Sequence, residues 1–178
     1  MTSILKVSKI QDPTNSNTAL SIDTSGRITT PARPAFSVIQ IETSGTAAQT
    51  GQYTFNTVDT NVGSCWSTSN NRFEAPIDGV YHFAFCGLGC NSAASVIPAN
   101  GSGHVVIQKS TDSGSNWSEL TMGYGYNASA AHYPNLSCSV VATLNSGDYV
   151  RVFLLINYIY SYEASYQYNP TFSGFLVG

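Results

Sequence analysis

Short runs of alternating or continuous apolar residues recur along the chain between clusters of Gly, Asn, Ser, Asp and Pro, and the 3.6-residue period of an amphipathic helix is almost absent. These runs predict strands over residues 35–42, 79–87, 104–109, 136–144, 148–157 and 171–177, with weaker ones near 53–58 and 117–122. Within 79–87, Tyr81, Phe83 and Phe85 alternate with His82, Ala84 and Cys86, so a pleated strand turns three aromatic rings to one face. Between two runs, Thr111-Asp112-Ser113-Gly114-Ser115-Asn116 has the Asp, Asn and Gly chemistry of a hairpin loop. About eight short strands over roughly 140 residues predict an all-β domain of two packed antiparallel sheets.

The first 34 residues read differently. They are rich in Asn, Ser and Thr and hold two brief apolar pieces, Ile4 to Val7 and Ala19 to Ile22, neither of which buries much alone. Pro31 and Pro34 stiffen the segment that follows, because proline fixes its own φ and restricts the residue before it. The pattern predicts an extended arm over residues 1–34 ahead of a domain over 35–178, with Ile4, Leu5, Val7, Ile10, Leu20 and Ile22 as the side chains that a partner surface would cover. Neither a heptad nor a collagen repeat joins the two, so no stalk is expected.

Composition narrows the function classes. Charged residues make up 10% of the 178, and ten acidic against seven basic side chains leave a net charge of -3, which argues against a nucleic-acid binder and its basic stripe. No apolar run reaches the roughly 18 to 20 residues that span a bilayer, so membrane insertion is not expected. The first twenty residues hold no apolar core of signal-peptide length, so export by that route is not expected either. Cys65, Cys86, Cys90 and Cys138 lack both the density of a disulfide scaffold and the paired spacing of a zinc site. His82, His104 and His132 belong to no local nucleophile or metal motif, and there is no phosphate loop or paired-carboxylate signature. The expectation is a non-enzyme without cofactor or metal.

One set of positions carries more information. From Phe55, five residues lead to Asn61, four to Trp66, six to Phe73 and five to Gly79, followed by Tyr81, Phe83 and Phe85 in alternation. This set resembles, at every spacing, the signature of the complement component 1q globular-head family, whose jelly roll is shared with tumour necrosis factor. The stretch from Phe73 to Tyr81 looks like that family's turn into its central strand. Leu144 to Val150, with Gly147 and Asp148, is similar to its late turn, and Thr171 to Val177, with Phe172, Gly174 and Phe175, to its closing strand. The resemblance covers residues 35 to 178 and implies a jelly roll in which these residues are framework, Phe172 and Phe175 adding apolar area to the core. It also implies a homotrimer formed through aromatic and aliphatic faces of one sheet. Some relatives hold calcium near the trimer axis, but the acidic residues here are scattered and form no D-x-D-x-D loop, so no metal is carried over.

Function then falls to exposed surfaces. Tyr158, Tyr160, Tyr162, Tyr166 and Tyr168 lie among Ser, Asn and Gln, and Tyr124, Tyr126 and Tyr133 form a second such stretch. Tyrosines in that company suit recognition of carbohydrate or protein. The alternation of Tyr158, Tyr160 and Tyr162 suits equally a strand face packed at a trimer contact. The arm, ILKVSKIQ and then ALSIDTSGRITTPARPAF, looks like the N-terminal segments of bacteriophage structural proteins that carry such domains. That resemblance implies a virion protein assembled in a host cytoplasm, either a capsid decoration protein seated by its arm or a short tail fibre that reads host glycans or proteins. A cellular cytokine-like or lectin-like ligand is the alternative from another class.

Overall fold

The computed structural model describes residues 6–14, 16–41, 46–91, 95–128, 131–162 and 169–178, with the backbone alone for 46–48 and 155–162. Three short strands, β1 (Lys9–Gln11), β2 (Thr18–Ile22) and β3 (Ile28–Thr29), pair only with one another as an antiparallel meander. Eleven more build the domain: β4 (Ala35–Ile39), β5 (Thr46–Gln52), β6 (Thr57–Val62), β7 (Trp66–Ser67), β8 (Arg72–Glu74), β9 (Gly79–Cys90), β10 (Ser102–Ser110), β11 (Ser118–Tyr126), β12 (Asn135–Leu144), β13 (Tyr149–Tyr162) and β14 (Thr171–Leu176). No helix occurs among the described residues.

The strands form two layers. In the first the order is β6-β4-β14-β9-β12, and in the second β7-β8-β13-β10-β11, all antiparallel. Hydrogen bonding passes between the layers because β13 is long enough to pair with β8 and β10 near its start and, at Tyr158–Tyr160, with Cys90–Leu88 of β9. β5 lies along the far part of β13.

Alternation explains the layering. On β9 the rings of Tyr81, Phe83 and Phe85 face inward with His82, Ala84 and Cys86 turned out, and on β13 Val150, Val152 and Leu154 face inward. Phe172 on β14 sits where the layers meet, with ring centroids 5.1 Å from Phe36, 6.0 Å from Phe55, 6.0 Å from Trp66 and 6.1 Å from Phe83. Two residues further along β14, Gly174 faces inward as well. A Cβ there would stand 2.6 Å from Phe83 and 2.7 Å from Phe36, so the aromatic stack closes only over a glycine.

Framework positions outside the core work through hydrogen bonds. Asn61 accepts from the backbone N–H of Trp66 at 2.9 Å and donates to its carbonyl at 3.1 Å, so a side-chain amide supplies the pairing that a strand partner would give. Asp148 accepts from the N–H of Asn145 at 2.9 Å, while the N–H of Gly147 reaches the carbonyl of Ala75 at 2.8 Å, tying the β12–β13 turn to the segment after β8.

The structure departs from the sequence expectations in several places. Phe175 is not core: it stands three positions from Phe172 along β14, an odd spacing that puts it on the outer face, and it is 48% exposed. The run expected at 53–58 forms a strand only from Thr57; Tyr53 and Phe55 are buried, yet their N–H groups bond to the carbonyl of Val152 and to the side chain of Asn71. β9 and β13 extend three and five residues past their expected ends at 87 and 157. Within the arm, strands form over 9–11, 18–22 and 28–29, and none of the described residues from 6 to 33 is buried.

Replacing Phe172 by Ala is expected to destabilise the domain by about 3–5 kcal/mol through the cavity it leaves. Gly174→Ala is expected to cost about 1–3 kcal/mol through overpacking, both read from urea unfolding at fixed protein concentration.

Candidate functional site

Among the described residues no group of three or more His, Cys, Asp and Glu is placed to hold a metal ion. All four cysteines are free. Burial pushes the thiols of Cys65 and Cys138 up to about 11 and that of Cys90 up to about 12, so these three stay protonated and unreactive near neutral pH. The surfaces that could act are the outer faces of the two sheets, and they differ in kind.

On the first sheet, register lines up side chains across all five strands. Val141, His82, Phe175, Ala35 and Val62 form one row from β12 to β6, and Ser139, Ala84, Ser173, Ser37 and Thr60 form the next. A third row holds Ser137, Cys86, Thr171, Ile39 and Thr57. None of these positions is Asp, Glu, Lys or Arg. Val141 is 60% exposed, and the His82 ring packs on Phe175 with centroids 5.3 Å apart. A flat, uncharged, partly apolar face of this width is unusual on a surface that meets only water.

At the open edge of the sandwich, β11 and β12 approach each other through glycine. A Cβ at Gly123 would stand 2.5 Å from the carbonyl oxygen of Ser137, and one at Gly125 would stand 2.7 Å from Pro134. The sequence Met122-Gly123-Tyr124-Gly125-Tyr126 therefore turns its glycines inward and Met122, Tyr124 and Tyr126 outward. The two tyrosine rings are parallel within 8°, with centroids 6.5 Å apart, and are 56% and 48% exposed. His104, opposite Tyr124 on β10, packs edge-on against it at 4.8 Å, and the Tyr126 hydroxyl donates to Asn100 at 3.2 Å. Beside Met122 an open concavity of about 540 Å³ is lined by Ala84, Phe85, Thr121, Ser137, Cys138 and Ser139.

The outer face of the second sheet also carries cations held by rings. Arg72 lies 3.6 Å over Tyr149, and Arg151 lies 3.8 Å over Trp117 and 4.9 Å over Phe153. Trp117 is placed beside this face by the hydrogen bonds of the 111–117 hairpin. Asp112 accepts from the N–H of Asn116 at 2.8 Å, from its side-chain amide at 2.7 Å and from the Ser110 hydroxyl at 2.7 Å, and the Trp117 indole donates to Gly114 at 3.0 Å. Sequence reasoning missed Arg151. A lone charge between Val150 and Val152 in an apolar strand was the available signal, since alternation puts it on the outer face.

Of the other tyrosines named from sequence, Tyr158, Tyr160 and Tyr162 belong to β13, where the backbone pairs with β5 and β9, so they extend a strand. Tyr166 and Tyr168 lie outside the described residues, as do Ile4 and Leu5. Tyr133 is half-buried and follows His132, which forms an isolated bridge with Ile97. In the arm, Val7 precedes β1, Ile10 lies on β1 and is exposed, and Leu20 and Ile22 are half-buried on β2.

Residues 35–177 match the C1q domain family. This chain belongs to that family. The globular domain of the zebrafish complement 1qA protein is similar at 21% identity and a TM-score of 0.57, over 82% of this chain and 98% of that one. Eiger TNF from S. frugiperda aligns at 9% identity with a TM-score of 0.62, over 83% and 94%. Murine APRIL at pH 5.0 aligns at 11% identity with a TM-score of 0.57, over 79% and 98%. These likenesses establish the C1q- and TNF-type jelly roll. No curated protein sequence matches the chain. Domains of this family are typically ligand-binding or structural.

The Asp112 hydrogen bonds favour its ionised form, led by the Asn116 backbone N–H, and lower its pKa to about 2. Because the folded value lies below the unfolded one, the carboxylate's support of the hairpin is present above the ordinary carboxylate range and is lost as pH falls toward 2. The Asn116 amide resonance should accordingly titrate with a midpoint near pH 2; a midpoint at the ordinary carboxylate value of 3.8 would contradict the hydrogen bonding.

Proposed function

We propose that this chain is a non-catalytic homotrimeric structural protein of a bacteriophage particle, a capsid decoration protein held by residues 1–34 and presenting residues 35–178 outward. The observation that carries the trimer is the uncharged outer face of the first sheet, with its row from Val141 through Phe175 to Val62. Protein interfaces are depleted of charge at their centres, and C1q-type domains typically form trimers. The concavity beside Met122 continues this face at its edge, sharing Ala84, Ser137 and Ser139 with its rows.

The arm supports display on a larger assembly. Strands of two to five residues with no buried side chain gain little from pairing with each other, and Val7, Ile10 and Ile28 are all exposed. Covering them against a capsid surface would stabilise both partners by mass action. Four free thiols fit a protein assembled in a reducing cytoplasm. A second reading, a short tail fibre that recognises host glycans or proteins, is favoured by the parallel, exposed rings of Tyr124 and Tyr126.

Light scattering of the full chain should give three times its mass, and Phe175→Asp should give a monomer that stays folded. A monomeric wild type would overturn the trimer. Removing residues 1–34 should leave a trimer that no longer joins particles, and normal incorporation would overturn the anchoring role. Combined Tyr124→Ala and Tyr126→Ala should leave host adsorption unchanged, whereas a loss of adsorption by a still-trimeric variant would decide for the fibre.

A further inference from the structure

Arg151 is the centre of an unassigned site. Its Nε donates to Gln108 at 3.0 Å and its Nη1 to Gln52 at 3.2 Å, both to neutral side-chain oxygens, and Trp117 and Phe153 give it two ring contacts. Among the described residues, the other basic side chains on or beside this face have carboxylate partners: Arg72 lies 2.9 Å from Glu74 and Lys109 lies 3.6 Å from Asp148. No described carboxylate lies within 4 Å of Arg151. Glu119 stands opposite Gln108 on β11, exposed and outside that distance.

This arrangement half-buries a guanidinium and leaves its charge uncompensated. Burying a cation with no counter-charge is costly, and the rings and amide oxygens offset only part of that. They also fix the plane of the guanidinium. Five N–H groups project from an arginine side chain in a planar fork, and two of them are committed here, so the remainder are pre-oriented toward an anion. A carboxylate matches that fork in two parallel hydrogen bonds. The surroundings select what carries the carboxylate. Trp117 and Phe153 flank the guanidinium, and Met122 and Tyr124 continue on the same outer face across β10, a run of apolar and aromatic surface on which sugar rings can stack.

We propose that the Trp117–Arg151–Phe153 face is a binding site for an acidic polysaccharide, with a uronic-acid carboxylate on Arg151 and the adjoining sugar against the neighbouring rings. The site lies within one chain, so it is independent of where the protein is displayed and of its oligomeric state. It differs from the tyrosine pair in reading charge.

The probe is a short oligomannuronate, added to the full chain and followed by Trp117 fluorescence and by calorimetry, with a neutral cello-oligosaccharide and acetate as controls. Binding of the oligomannuronate that weakens with salt, and that exceeds both controls, is expected. Arg151→Gln should weaken it by about tenfold or more through loss of the charged fork, and Arg151→Lys, which keeps the charge without the fork, by a smaller factor. Thermal unfolding shows whether each variant remains folded; if Arg151→Gln does not, the lysine variant carries the test. Unchanged binding by a folded Arg151→Gln, equal binding of acetate, equal binding of the neutral sugar, or no binding at all would each overturn the proposal.

Discussion

The structure depends on one contact between layers: the ring of Phe172 against Phe36, Phe55, Trp66 and Phe83, closed over the bare backbone of Gly174. Aromatic rings at these separations gain from edge and offset stacking beyond their buried area, and the gain exists only if both sheets keep their register. A shift of β14 by one residue would turn Phe172 outward and Phe175 inward. It would also move Gly174 away from Phe83 and Phe36, where a Cβ does not fit. Register in the first sheet is thus set from inside the core, and the outer faces inherit their side-chain rows from it.

That inheritance divides the labour between faces. The first sheet presents uncharged rows of small, hydroxyl and apolar side chains, suited to burial against another copy. The second presents arginines over aromatic rings, glutamine anchors and paired tyrosines, side chains that suit contact with polar ligands. Glycine at 123 and 125 lets β11 close against β12 while its bulky side chains face out. Framework and exposed side chains are therefore interleaved along single strands: on β13, Val150 and Val152 hold the core while Arg151 between them turns to the outer face.

Alternation in sequence made most of the fold legible, because a strand with one buried face writes its register in period two. It located β9, β10, β12, β13 and β14 to within a few residues. It did not reveal β5, Thr46–Gln52, whose run TAAQTGQ has no apolar alternation and whose place is set by pairing with β13. β7 and β8 are too short to show a period. The closing-strand motif names Phe175 beside Phe172 as framework, although their odd spacing sends Phe175 to the other face. The exposed tyrosines at 124 and 126 were legible as candidates. Arg151 was not, because its meaning rests on Gln52 and Trp117, distant in sequence and joined to it only by the fold.

The central claim, that the first sheet's outer face is covered by another copy while the second sheet's is not, is tested most directly by hydroxyl-radical footprinting of the native full chain. Phe175 and Tyr126 are each 48% exposed in a single chain, so any difference in their protection, once corrected for intrinsic ring reactivity, reports what covers them. Strong protection of Phe175 with Tyr126 freely modified is the result expected. Equal modification of both rings would contradict it.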